Sequence, residues 1–306
     1  MTNKIKTIFI GTPRIAVPSF EKLVFSDYFE VLAVITQKDK KVGRKQEISL
    51  SEVKKRALEH NIDVLQPEKI KDIKNDILNL KPDIVVVMAY GQIIPKDILD
   101  IPKYGFVNIH TSLLPEYRGA SCIQSAILNQ DEVTGVTFMQ MDEGMDTGPI
   151  IAQKELRINN NDYEELVIRL ADLSAQNIEE VLCLYVKGEL LPKKQNDNLA
   201  TYTTIIKKQA GKIDFNMNSE KVLAMYRAYK KWPGIYIEKA NKNIKLIELG
   251  NETDKGKKKA GDLYKKNEQL FLMLNDTAVE IKKIQVSGKK VIEAKNFIQG
   301  YSYLLS

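Results

Sequence analysis

Five apolar segments, residues 6–10, 31–35, 83–89, 105–109 and 135–141, recur through the first half of this chain. Four segments of helical spacing, residues 16–25, 51–59, 70–80 and 121–129, fall between them. No other feature constrains the fold as strongly. A strand that is apolar throughout must be covered on both faces, and crossover helices supply that cover, so the pattern predicts a parallel sheet between helical layers. A longer helix is expected over residues 162–187. Asp162 with Glu165 marks its start, its apolar positions include Leu166, Leu170, Leu173, Ile178, Val181 and Leu182, and Gly188 ends it.

The pattern then changes. Residues 191–198 are polar and aperiodic and read as part of a linker, placed at 190–206 between domains at 1–189 and 207–306. Beyond it, short β-rich pieces at 234–238, 244–249, 269–274 and 278–286 are separated by turn signals such as Gly250-Asn251 and Asn275-Asp276, with one helical piece at 219–228. Several short strands and one helix in about 100 residues predict a small β-barrel. The lysine cluster at 255–259 is expected at an exposed hairpin tip.

At 306 residues, 43% hydrophobic and 28% charged, the chain can bury two cores. No apolar run approaches the roughly 18 residues of a membrane span, and the start lacks the pattern of a secretory leader, so a cytoplasmic protein is expected. Two cysteines, Cys122 and Cys183, and two histidines, His60 and His110, offer no disulfide framework and no zinc spacing. A reduced, metal-free protein is expected. The net charge of +6 is unevenly placed: residues 207–306 carry 21 Lys and Arg against 11 Asp and Glu, while residues 1–206 carry 25 against 29. A basic final third suits a polyanionic partner, since neutralised phosphates supply most nucleic-acid affinity.

The candidate chemistry lies where the fourth strand ends. In an extended segment residues i and i+2 share a face, so Asn108 and His110 present an amide donor and an imidazole to one small volume, just before the turn through Pro115 and Gly119. In open parallel sheets that is the ligand side. The polar knot 142–148, with three carboxylates, follows the next strand and can bring a carboxylate to the same crest. The opening Gly11-Thr12-Pro13 invites a dinucleotide reading, but Pro13, Arg14, Ile15 and Ala16 stand where further glycines are needed, and there is no phosphate loop with Gly-Lys-Ser or Gly-Lys-Thr.

An ordered string of motifs resembles the methionyl-tRNA formyltransferase family. It comprises Gly11-Thr12-Pro13 with Ala16-Val17-Pro18, the loop 37–44, Ala89-Tyr90-Gly91 with Ile94-Pro95, the block 108–119, Met139-Gln140-Met141-Asp142, Asp146-Thr147-Gly148, and the run from Arg227 to Gly234. The resemblance implies an α/β fold class, with a Rossmann-like parallel-sheet formyltransferase domain followed by a small OB-like β-barrel domain. It implies formyl transfer from 10-formyltetrahydrofolate to the amino group of methionine on initiator tRNA, by a monomer with no DNA or membrane partner. It also implies catalytic roles for Asn108, His110 and Asp146, and a folate slot lined by Val87, Tyr90, Ser112, Leu113, Leu114, Pro115, Met139, Gln140 and Asp142. Contacts to tRNA are implied for Lys41, Arg44 and Lys45. The chain departs from the family pattern at Glu116, where a basic residue is usual, at Cys122, where a proline is usual, and in having no proline over residues 40–53.

The chemistry is coherent without the resemblance. An amine attacking a formamide-type carbonyl forms a tetrahedral intermediate with an oxyanion, which Asn108 and a protonated His110 can stabilise. Asp146 would favour the imidazolium and orient it. A water, or Asp146 acting with His110, can relay the proton to the leaving nitrogen. Cys122 near His110 suggests a thiol nucleophile, but the transfer needs no acyl-enzyme step. A sugar-nucleotide N-formyltransferase and a formyltetrahydrofolate hydrolase would share the triad. A non-catalytic RNA-binding OB module would have no reason to keep all three residues.

Overall fold

The computed structural model describes residues 4–42 and 47–306, apart from the side chains of 41, 42 and 47. The chain forms two units. One comprises residues 1–123, 132–159 and 165–204, and the other 124–131, 160–164 and 205–306.

The first unit is built on seven strands: β1 (Ile5–Gly11), β2 (Phe29–Ile35), β3 (Asp63–Leu65), β4 (Ile84–Met88), β5 (Phe106–His110), β6 (Val133–Gln140) and β7 (Ile150–Arg157). Their order is β7-β6-β5-β4-β1-β2-β3. Strand β4, Ile-Val-Val-Val-Met, is buried at every position, as a strand covered on both faces must be. Ile8, Ile10, Ile35, Val85 and Val87 share one core with Ile70, Ile77, Ile94 and Ile98. The helix Glu52–Glu59 starts where Ser51 Oγ accepts the Lys54 amide at 3.1 Å. The long helix Tyr163–Val186 buries Leu166, Leu170, Ile178, Val181 and Leu182, and its Ser174 hydroxyl pairs with that of Ser19 at 2.9 Å.

The sheet is parallel from β3 to β5, but β6 runs antiparallel to both β5 and β7. The expectation of parallel strands therefore fails at this edge. Strand β7 was not legible because exposed Gln153, Glu155 and Arg157 alternate with half-buried partners, the charged pattern of an edge strand. The helical segment 70–80 divides into a tight turn at Ile70–Ile73 and a helix at Lys74–Leu80. Residues 193–204, expected within a linker, are hydrogen-bonded along their length to the first unit: Lys193 pairs with Ile150, and Tyr202–Thr203 forms a short parallel pair with Arg118–Gly119.

The second unit is a six-stranded antiparallel sheet of β8 (Ile235–Lys239), β9 (Lys242–Asp254), β10 (Leu263–Lys266), β11 (Gln269–Met273), β12 (Ala278–Val286) and β13 (Ile292–Glu293). The order is β8-β9-β12-β11-β10, with β13 also on β12. Three register shifts between the long β9 and β12 bend the sheet, as an OB-like barrel requires. The helix Ser219–Tyr229 is capped by Asn218 Oδ1, which accepts the Lys221 amide at 2.9 Å. The lysines at 255–259 lie in the connection from β9 to β10. These strands are not neighbours in the sheet, so the cluster is not the hairpin tip expected.

Candidate active site

Strand β5 is central, and its pleat sets Asn108 and His110 on one face. The loop that follows is held from beneath. Thr137 Oγ1 donates to the Ser112 carbonyl at 2.7 Å and accepts the Leu114 amide at 3.1 Å, while Gln153 Nε2 donates to the Leu114 carbonyl at 2.9 Å. The Ser112 hydroxyl donates back to Glu116 O at 2.6 Å. This brings the Tyr117 carbonyl to 3.0 Å from His110 Nε2.

The loop after β6 delivers the carboxylate. Asp142 Oδ1 accepts the Gly144 amide at 3.0 Å and the Thr147 hydroxyl at 2.7 Å, closing a tight turn. Gly148 closes the loop against β6, where a Cβ would stand 1.8 Å from Gln140 O, so no other residue fits without moving the strand. Between them Asp146 takes a left-handed backbone, φ 55°. One oxygen, Oδ1, lies 3.5 Å from Asn108 Nδ2 and 3.6 Å from His110 Nδ1, and Oδ2 accepts the Gly119 amide at 2.8 Å. The three residues expected to act together are therefore adjacent.

Both ring nitrogens of His110 face acceptors, an arrangement that favours the doubly protonated ring. The ring is 7% exposed, and burial alone would disfavour its charge. Cys122, Asp146 and the Tyr117 carbonyl outweigh burial and raise the His110 pKa to about 9. Burial opposes ionisation of the Cys122 thiol too, but the facing imidazolium lowers its pKa overall. Cys122 Sγ also lies 3.0 Å from Thr111 Oγ1. The site is an imidazolium beside an amide donor at the carboxyl end of β5.

The other expected residues occupy varied positions. Val87, Tyr90, Leu114 and Met139 are buried, Ser112 is fully enclosed, Leu113, Pro115 and Gln140 are half-buried, and Asp142 is exposed. The Tyr90 hydroxyl is buried without a hydrogen-bond partner, and burial pushes its pKa up to about 12, so it stays a neutral donor. Lys41 lies in the short strand Lys40–Val42, its side chain outside the described residues, as Arg44 and Lys45 are altogether. Two residues beside the site escaped sequence reasoning. Arg118 is fully buried, and Gln195, from the stretch 191–198, donates to the carbonyls of Asp146 and Gly148. Nothing in an aperiodic polar stretch singles out one glutamine. Among the described residues no group of three or more His, Cys, Asp or Glu could hold a metal ion, and no helix is long and apolar enough to cross a membrane.

A mostly parallel sheet that carries this cluster, followed by an antiparallel β domain, is met by sequence comparison with a formyl-transferring class of enzyme. Residues 4–182 match the formyl transferase family and residues 205–302 its C-terminal domain, so the chain belongs to the formyl transferase family. It is 41% identical to the methionyl-tRNA formyltransferase of Thermodesulfovibrio yellowstonii, over 96% of this chain and 95% of that one. It is 37% identical to that of Caldanaerobacter subterraneus subsp. tengcongensis, over 97% of each. The fold is shared with an N-formyltransferase from Helicobacter canadensis solved with folinic acid and dTDP-3-aminofucose, at 24% identity, a TM-score of 0.67, and coverage of 90% of this chain and 98% of that one.

Proposed function

We infer that this chain transfers the formyl group of 10-formyltetrahydrofolate to the amino group of methionyl-tRNA. The observation that carries the chemistry is His110, fixed as an imidazolium between Asp146 and the Tyr117 carbonyl with Asn108 on the same face. Full-length likeness to methionyl-tRNA formyltransferases carries the choice of acceptor. In this reading the acceptor is initiator tRNA and the enzyme is a cytoplasmic monomer with neither DNA nor membrane as partner. Residues 1–189 hold the folate and the chemistry, while residues 207–306, with their excess of 10 positive charges, hold the tRNA backbone largely without reading bases.

The folate is a substrate, and the residues present suit it. The unpartnered Tyr90 hydroxyl, just beyond β4, is a buried donor suited to a polar ring atom and shares a core with Val87, while Leu114 and Met139 are buried apolar residues beside it in this reading. Ser112, Leu113, Pro115, Gln140 and Asp142 complete the slot by shaping its two loops. Attack by the methionyl nitrogen forms its bond to the formyl carbon, and the bond from that carbon to the folate nitrogen then breaks. Asn108 Nδ2 offers a donor, and the His110 imidazolium its positive charge, to the oxygen that becomes negative between these events. The amine needs little activation, because an α-amine has a pKa of about 7.7 to 8.0 and esterification lowers it further. Its proton goes to water, or to the Asp146–His110 pair, and one proton reaches the leaving nitrogen by the same route. Lys41, Arg44 and Lys45 contact the tRNA, where a guanidinium can grip phosphate with two bonds.

Transfer of labelled formyl to methionyl-tRNA by the full-length protein tests the reading. His110→Ala should lose at least about 100-fold in rate, the worth of an oxyanion donor, while remaining folded. A folded His110→Ala protein that transfers formyl at the parent rate would refute it.

A further inference from the structure

Asp146 holds its carboxylate in place from a left-handed backbone, φ 55°. Such a conformation persists only where its surroundings fix it, and here they do so through Gln195. Its amide is buried and fully used. Nε2 donates to Asp146 O at 2.8 Å and Gly148 O at 2.7 Å, gripping the loop on both sides of Thr147. Oε1 accepts from Arg118 Nε at 3.1 Å and Nη2 at 2.8 Å. The guanidinium, 1% exposed, decides which way the amide faces, because a flipped amide would set its NH₂ against Arg118 and its oxygen against two carbonyls. Arg118 is itself held by Asp197 Oδ1 at 2.8 Å and the Tyr202 hydroxyl at 3.2 Å.

The same segment secures the other side of the pair. The Thr201 carbonyl accepts the Arg118 amide at 2.9 Å, Thr201 Oγ1 accepts the Tyr117 amide at 2.8 Å, and Thr203 Oγ1 accepts the Ser121 amide at 3.1 Å. Tyr117 supplies the carbonyl facing His110, and Gly119 the amide facing Asp146. We propose that residues 193–204 are a strap that completes the active site, with Gln195, oriented by Arg118, as the positioning residue that holds Asp146 against His110. This inference rests on the catalytic reading of His110 and Asp146 given above.

The test uses full-length protein labelled with ¹⁵N-histidine. Only two histidines contribute signals, and the one missing from His110→Gln is His110. Gln195→Leu keeps the volume and removes both donors. Gln195→Glu keeps the contact to Arg118 but sets an acceptor against the two carbonyls. Each variant should lower the His110 titration midpoint by about one unit or more and reduce kcat about 10- to 100-fold, the cost of misplacing a catalytic group by about 1 Å. Folate affinity should stay within about threefold of the parent. Should Gln195→Leu fail to fold, Gln195→Glu decides alone. A role in stability only would lower the melting temperature and leave the titration and kcat of the folded fraction as in the parent, and that result overturns the proposal. So does full activity in Gln195→Glu. Parental activity in His110→Gln would instead refute the catalytic reading, so the two failures are distinct.

Discussion

Replacing Asp146 by asparagine separates charge from shape at the site. The amide oxygen of the new side chain would still accept the Gly119 amide, but no charge would remain 3.6 Å from His110 Nδ1. Cys122 contributes more to the raised His110 pKa than Asp146 does, so the bare attraction at that distance, about 4 to 5 kcal/mol at an effective dielectric of about 20, is an upper bound on what is lost. The His110 pKa, about 9 in the parent, should therefore fall, with Cys122 and the Tyr117 carbonyl still raising it against burial. At pH 7.5 the protonated fraction then drops from about 97%, and with the loss of orientation kcat should fall at least about 100-fold. Protonation can be restored by acid, so the kcat of Asp146→Asn relative to the parent should rise between pH 7.5 and 6, the ratio cancelling the protonation of the acceptor amine that both share. The assay is formyl transfer at saturating substrates from pH 5.5 to 9.5. A variant within threefold of the parent at pH 7.5, or a loss independent of pH, would show that the imidazolium is not what Asp146 maintains.

The raised His110 pKa also links protonation to stability. Its contribution is complete below the unfolded value near 6.5 and is lost as pH rises through about 9, so the melting-temperature gap between parent and His110→Gln should narrow over that interval; a constant gap would contradict this. Gly119→Ala places a Cβ 2.5 Å from Thr203 O at φ 108°, and should lower stability by at least about 1–2 kcal/mol in urea titrations and weaken catalysis with it; an unperturbed variant would show that the 201–204 pairing yields freely. Alanines at Lys255, Lys257 and Lys259 should weaken tRNA binding and flatten its dependence on log salt by about 0.7 to 0.9 per lost phosphate contact, leaving folate binding intact; an unchanged slope would remove this loop from the tRNA surface. Arg44→Ala should raise the apparent KM for tRNA and spare folate affinity, and the reverse pattern would assign that loop to the folate.

The parallel core was legible because strands such as Ile84–Met88 are buried on both faces and so read as unbroken apolar runs. The edge was not. Ile150–Arg157 runs from apolar Ile150, Ile151 and Ala152 into polar Gln153, Lys154 and Glu155 like many surface segments, and an antiparallel partner leaves no mark on the composition of Val133–Gln140. Asn108 and His110 could be paired from strand periodicity, whereas Asp146 depended on a loop whose course the resemblance, not the spacing, supplied. Gln195 and Arg118 stayed hidden for a different reason. Their roles arise from hydrogen bonds across 77 positions of sequence, and such contacts have no local period. The lysines at 255–259 look like a hairpin tip because turn-like polarity marks any exposed connection, whichever strands it joins.

The central claim, that the His110 site serves a methionyl-tRNA acceptor, is tested most directly by giving the full-length protein 10-formyltetrahydrofolate with methionyl-tRNA, with an amino-sugar nucleotide, or with no acceptor but water, and following formyl transfer to each. The account predicts transfer to methionyl-tRNA that declines as salt rises, at least about 100-fold slower in His110→Ala, with little product on the sugar and little hydrolysis. Preferential formylation of the sugar nucleotide, or hydrolysis that matches the rate with tRNA, would contradict it.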